Sequence, residues 1–351
     1  MKRYEGSKVE AGVRRRALGA LGIAALGVAL AGPAWAQPVT IKMATLVPEG
    51  SSWHLILKEM AEEWKTTSGG QVAVRLYAGG VAGDDPDVVR KMRLGTLNAG
   101  VLTVAGVAEV DPAVYALGVP LMYDSYDEVY GTLEALRPGL EARLAAKGFV
   151  VLAWADGGWI RFFTKKPVAT PDDLRTLKLF TWAGDTETVE LFKAARLNPV
   201  PLPSTELATA LQTGLVEAFS TPPGVALLAQ YFQQAKYMTD LPWGMLLGAI
   251  VVSKDAWVKL PADLQGKLKA SAEKAGGRLR EEMKAGEARD IEAMKKRGLT
   301  VVPVDEKARA AWRQMLAEQV ARIRGPIVPA EAYDEALKAR DAWRTAHPGK
   351  P

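Results

Sequence analysis

The chain has 351 residues, 48% of them hydrophobic and 24% charged, with a formal net charge of +5 and no cysteine. This length allows two domains of ordinary size with a large core, and the composition is that of a soluble globular protein. The lack of cysteine excludes disulfide scaffolds, thiolate nucleophiles and lipid attachment at a lipobox.

At the N-terminus, Arg14, Arg15 and Arg16 precede an apolar run from Ala17 to Ala31, which ends in Gly32, Pro33 and Ala34-Trp35-Ala36. This is the layout of a secretory signal peptide, with cleavage expected after Ala36, and the run is shorter than the roughly 20 residues that span a bilayer. The paired arginines are compatible with twin-arginine or general export. The leader holds six of the 45 basic and two of the 40 acidic residues, leaving 39 against 38 in the mature chain. So even a balance argues against a nucleic-acid or anionic-membrane partner. No later segment is long and apolar enough to span, so no membrane insertion of the mature chain is expected.

Val39, Ile41 and Met43 alternate with Thr40 and Lys42, predicting a strand, after which Ser51 or Ser52 caps a helix with Trp53, Ile56, Leu57, Met60 and Trp64 on one face. Val72 to Leu76 reads as a strand, Asp85-Pro86 opens a helix closed by Gly95, and Gly100 to Val104, with Thr103 at its end, is a short apolar strand. Such alternation makes a parallel sheet covered on both faces. Ser125 and Glu128 read as a capping box for a helix to about Lys147 broken near Pro138, followed by a buried run from Phe149 to Trp154.

The stretch from Gly157 to Asp185 is the hub of the chain. Its first strand alternates Trp159, Arg161 and Phe163 with Ile160, Phe162 and Thr164, setting a guanidinium between aromatic rings. In a second strand Phe180 and Trp182 share a face. Thr170 and Asp173 form a capping box between them, with Pro171 at the first helical position. Beyond lie a helix capped by Asp185, a strand Val200 to Leu202, a helix Ser204 to Thr213 ended by Gly214, and a strand Glu217 to Thr221. Leu246 to Val252 is expected to return to the first domain's sheet. Pro261 to Lys296 reads as one long, polar helix, followed by a strand Thr300 to Val304, a helix bearing Trp312, and a last helix from about Pro329 to Arg344.

The segment from Arg161 to Lys178, with T-P-D-D-L-x-x-L-K at its end, resembles the middle of the solute-binding subunits of tripartite ATP-independent periplasmic (TRAP) transporters, the DctP-like family. STELATALQTGLVEAFSTPP, from Ser204 to Pro223, resembles that family's most distinctive run. The likeness implies a two-domain α/β periplasmic binding protein fold with a long helix spanning both domains. It also implies a monomer in the periplasm that takes a small organic ligand to TRAP-type permease subunits. The division expected is a leader over 1–36, a first domain over 37–157 and 246–285, a second over 158–245 and 286–346, and a tail over 347–351.

The residues themselves speak against catalysis. His54 and His347 are the only histidines, and there is no G-x-S-x-G elbow, phosphate loop or dinucleotide fingerprint. No metal or cofactor is expected. A secreted enzyme would have to depend on His54 or Glu217, and a ligand-presenting sensor component would share the fold. What remains is a binding inventory of aromatic walls and few polar anchors: Trp53, Thr103, Trp159, Arg161, Phe180, Trp182, Ser220, Thr221 and Trp243.

By resemblance Arg161 lies at the cleft. The family's carboxylate-gripping arginine, however, is replaced here, since Leu177-Lys178-Leu179 is followed by Phe180. Two ligand classes stay open. A monocarboxylate meeting Arg161 is favoured. The alternative is a mostly apolar molecule, with Arg161 paired to a protein carboxylate such as Glu217 or Asp156.

Overall fold

The computed structural model describes residues 38–348; the leader and its cleavage after Ala36 lie outside them. The chain begins with β1 (Val39–Thr45), α1 (Ser52–Thr67), β2 (Val72–Tyr77), α2 (Asp85–Arg93), β3 (Ala99–Thr103) and α3 (Val104–Ala108). A 3-10 turn over Pro112–Gly118 leads to α4 (Tyr126–Ala146) and the 16-residue strand β4 (Phe149–Thr164). Next come α5 (Pro171–Arg175), β5 (Lys178–Trp182), α6 (Thr186–Ala194), β6 (Asn198–Leu202), α7 (Leu207–Thr213), β7 (Ala218–Thr221), α8 (Pro223–Leu228), β8 (Tyr237–Thr239) and β9 (Gly244–Ser253). The remainder is α9 (Lys254–Trp257), α10 (Ala262–Lys295), β10 (Thr300–Val302), α11 (Glu306–Ala317), α12 (Val320–Ile323) and α13 (Ala330–Ala346).

β4 joins two half-sheets. Its residues 149–160 pair with β9, and the first half-sheet runs β2-β1-β3-β9-β4. Residues 161–164 carry β7 on one side and β8 on the other, so the second runs β10-β8-β4-β7-β5-β6. The aromatic strands β4 and β5 both form, but β7 lies between them. The first half-sheet is mixed rather than parallel: β1 is parallel to β2 and β3, whereas β9 is antiparallel to both β3 and β4. The cause is connectivity, because β9 returns from the second half and must run back along β4.

Each half-sheet has a core on both faces. In the first, Ile41, Leu57, Trp64 and Leu268 pack on one side, and Val89, Leu117, Leu133 and Val251 on the other. In the second, Phe162, Leu179 and Trp312 lie opposite Phe163, Phe219 and Met294. The 34-residue α10 serves both, with Leu264, Leu268 and Leu279 in the first half and Met294 in the second. The span 286–346, expected with the second domain, divides. Trp312 of α11 lies in the second core, but Tyr333 and Ala336 of α13 are buried with Val129 and Leu133 of α4 in the first.

Local chemistry accounts for the boundaries. Thr170 and Asp173 form the capping box on α5. Ser125 caps α4 by accepting from the Glu128 N–H, but Glu128 accepts from Asp124 N rather than closing a box. α4 also runs unbroken past Pro138. Pro138 and Glu134, whose carbonyl loses its donor, are both exposed, so the unpaired carbonyl lies on the solvent side of the helix.

Candidate functional site

A cavity of about 280 Å³ opens between the two half-sheets. The first contributes the β1 loop from Leu46 to Pro48, Trp53 in the first turn of α1, and Leu246 and Leu247 of β9. The second contributes Phe180 and Trp182 of β5, Ser204 and Thr205 ahead of α7, Ser220 and Thr221 of β7, and Tyr231. Phe180 and Trp182 meet edge to face with centroids 6.3 Å apart, as two residues on one face of a strand can. The Trp53 Nε1 is buried without a hydrogen-bond partner.

A smaller chamber of about 140 Å³ adjoins the first. Thr103, Trp182, Ser220, Leu246 and Leu247 line both. Among the described residues lining either chamber there is no Lys, Arg or His. The charged groups are Asp156 in the larger, and Asp185 and Glu187 in the smaller.

Asp156 is 6% exposed, and its carboxylate accepts from the Gly158 N–H (2.9 Å) and from the Tyr130 hydroxyl. Burial pushes its pKa up to about 6, against these hydrogen bonds and the charge of Arg280. Asp85 is also raised to about 6 by burial, although it accepts from the Thr103 N–H (2.9 Å) and hydroxyl (2.6 Å). Two residue pairs join the halves at the rim: the Ser204 N–H (3.1 Å) and hydroxyl both donate to Asp84, and the Tyr115 hydroxyl donates to Asp185 (3.2 Å).

The expected site residues separate into three groups. Trp53, Phe180, Trp182, Ser220 and Thr221 line the larger cavity; Thr103 lines it too, but its hydroxyl proton is committed to Asp85. Trp243 lines only the smaller chamber, packed against Phe162 (5.1 Å) and Trp312 (5.6 Å). Arg161 and Trp159 line neither.

Arg161 is 9% exposed and holds Glu287 of α10 through Nε (3.0 Å) and Nη2 (2.8 Å), and Asp240 through Nη1 (3.0 Å). Its partners are thus neither Glu217 nor Asp156. Trp159 stacks edge-on with Tyr126 (5.6 Å), whose hydroxyl donates to the same Glu287 (3.3 Å). The alternation along β4 forms as read, but that face turns toward helices: Trp159 meets Tyr126 of α4, Arg161 meets Glu287 of α10, and Phe163 shares a core with Met294 of α10. A bulge between Asp156 and Trp159, with Gly158 at φ +90°, shifts the register by one residue and leaves Asp156 and Gly157 in the cavity wall.

Sequence reading missed Asp156, Tyr231, Leu246 and Ser204 as cavity residues. The adjacent Gly157-Gly158 was the available sign of a bulge. His54 accepts from Gly50 N (3.0 Å) inside the β1–α1 loop and lines neither chamber.

A two-domain α/β fold with an apolar cavity between its halves is the architecture of a receptor for a small solute. Residues 43–325 match the model of the bacterial extracellular solute-binding proteins, family 7 (DctP), and the chain belongs to that family, the solute-binding subunits of TRAP transporters. It is a transport protein, not an enzyme.

Among its relatives is the 2,3-diketo-L-gulonate-binding periplasmic protein YiaO of Escherichia coli, 28% identical over 294 residues, covering 83% of this chain and 88% of the relative. The C4-dicarboxylate-binding periplasmic protein DctP of Rhodobacter capsulatus is 29% identical over 317 residues, covering 86% and 92%. A TRAP periplasmic solute-binding protein of Pseudomonas putida, solved with bound D-glucuronate, superposes with a TM-score of 0.77 at 25% identity, covering 86% of this chain and 97% of that one. No helix among the described residues is long and apolar enough to cross a membrane.

Proposed function

We propose that this protein, exported and cleaved after Ala36, captures a small uncharged molecule with an apolar body in the cavity between its two lobes and delivers it to a TRAP-type permease. The observation that carries this reading is the charge of the site. The residues lining both chambers include no cation, and Phe180, 5% exposed, stands in the larger wall, where the family resemblance implies an arginine that grips a carboxylate. A ligand carboxylate there would be stripped of water with no opposite charge to meet it. The monocarboxylate reading loses its anchor, since Arg161 is engaged by Glu287 and Asp240 away from the cavity.

One observation favours an acid nonetheless: the relatives named above bind 2,3-diketo-L-gulonate, C4-dicarboxylates and D-glucuronate. The hydroxyls of Thr205, Ser220 and Thr221 would then have to hold it. Intrinsic tryptophan fluorescence with hexanamide and hexanoate as a matched pair separates the two readings. The amide binds the wild type at least about tenfold more tightly than the acid, and Phe180→Arg reverses the order. Arg161→Ala costs about 1–3 kcal/mol of stability, because it leaves the half-buried Glu287 with only the Tyr126 hydroxyl, yet it keeps the amide preference. Tight hexanoate binding that disappears in Arg161→Ala would return the site to the carboxylate class.

A further inference from the structure

We infer that the adjoining chamber is the second half of the binding site and takes the apolar tail of an elongated ligand whose head lies in the larger cavity. The inference rests on the reading of that ligand as uncharged. The two spaces are not independent hollows, since Trp182, Ser220, Leu246 and Leu247 face both and form the waist between them. A ligand seated in the larger cavity therefore touches the entrance of the smaller.

Past the waist the wall is apolar. Val119, Trp243, Met245 and Phe192 are each at most 9% exposed, and Ile160 and Ile327 also line it. Side chains could have closed this space, because interiors pack to the density of organic crystals and an unfilled void forfeits contacts on every side. The space of about 140 Å³ left open is lined to hold hydrocarbon rather than water. Its polar border carries carboxylates, Asp185 and Glu187, and no cation, so a tail ending in a negative charge is rejected there. Asp185 also receives the Tyr115 hydroxyl from the other lobe, so a tail in this chamber lies beside one of the two rim contacts. The substrate class is an uncharged amphiphile, compact and polar at one end and hydrocarbon at the other.

A series of straight-chain primary amides from butanamide to decanamide, titrated by tryptophan fluorescence, tests this in the full mature protein. Each added methylene that enters the chamber strengthens binding about fourfold, until the length that fills both spaces is reached and the gain stops. Val119→Phe, which fills the chamber, moves that plateau to shorter amides. Ile327→Ala, which enlarges it, moves the plateau to longer ones and serves also if the first variant fails to fold, as judged by circular dichroism. A plateau at the same length in wild type and both folded variants would overturn the two-chamber site while leaving the uncharged ligand intact. Binding of no amide at any length, with binding of hexanoate, would overturn both.

Discussion

Asp156 carries the charge of the larger cavity, and its environment makes it a titrating group near neutrality. Its folded-state pKa of about 6 lies above the ordinary 3.8 because burial opposes ionisation. The native state thus holds the proton more tightly than the unfolded chain. The cost of ionising the buried carboxyl is absent below pH 3.8, grows between there and about 6, and is complete above. A raised acid therefore lowers stability as pH rises, by up to about 3 kcal/mol for a shift of this size. Asp156→Asn keeps an acceptor for Gly158 and removes the ionisation. In urea melts it is more stable than wild type by about 1–3 kcal/mol near pH 7.5 and equal to it near pH 4. The same advantage at both pH values would show that Asp156 is not titrating in the folded cavity.

Among elements, α10 governs how the half-sheets are braced, and its four glycines are not equivalent. A Cβ on Gly276 would lie 2.8 Å from the Trp154 carbonyl oxygen and 3.1 Å from Ala153 Cβ, because the helix rides directly on β4. A Cβ on the neighbouring Gly277 would meet nothing within 4 Å. Helix propensity favours alanine at both places by about 1 kcal/mol, and only packing distinguishes them. Gly277→Ala raises the midpoint of thermal unfolding, whereas Gly276→Ala lowers it by the equivalent of about 1–3 kcal/mol as helix and strand are forced apart. Calorimetry on the two variants decides; a gain in both would mean that the α10–β4 contact is slack.

At the scale of the whole molecule, the halves touch at the rim through few polar contacts. Tyr115 to Asp185 and Ser204 to Asp84 link segments 70 and 120 residues apart in sequence. A hydroxyl bonded to a carboxylate is worth about 1.5–3 kcal/mol, which is enough to set how long a ligand stays enclosed but small beside the β4, β9 and α10 connections. Tyr115→Phe accelerates release of hexanamide about tenfold in stopped-flow displacement and lowers the ligand-free melting temperature by no more than about 5 °C. A lowered melting temperature with unchanged release would make the contact a brace rather than a latch.

Much of the fold is written in local pattern. The capping box of Thr170 and Asp173, the alternation Phe180-Thr181-Trp182, the αL glycine at 214 and the long polar run that becomes α10 each follow from backbone and side-chain chemistry within a few residues. That Phe180 follows Leu177-Lys178-Leu179, where the family resemblance implies an arginine, was equally legible. Tertiary structure alone decided which way each face of β4 points. Periodicity shows that Trp159 and Arg161 share a face, but not whether that face meets a cavity or Glu287 on a helix more than 120 residues downstream. The same holds for Trp243 in the smaller chamber and for α13, whose buried face settles on α4. Local sequence specifies which groups lie side by side on an element, while burial and charge pairing between distant elements determine what those groups confront.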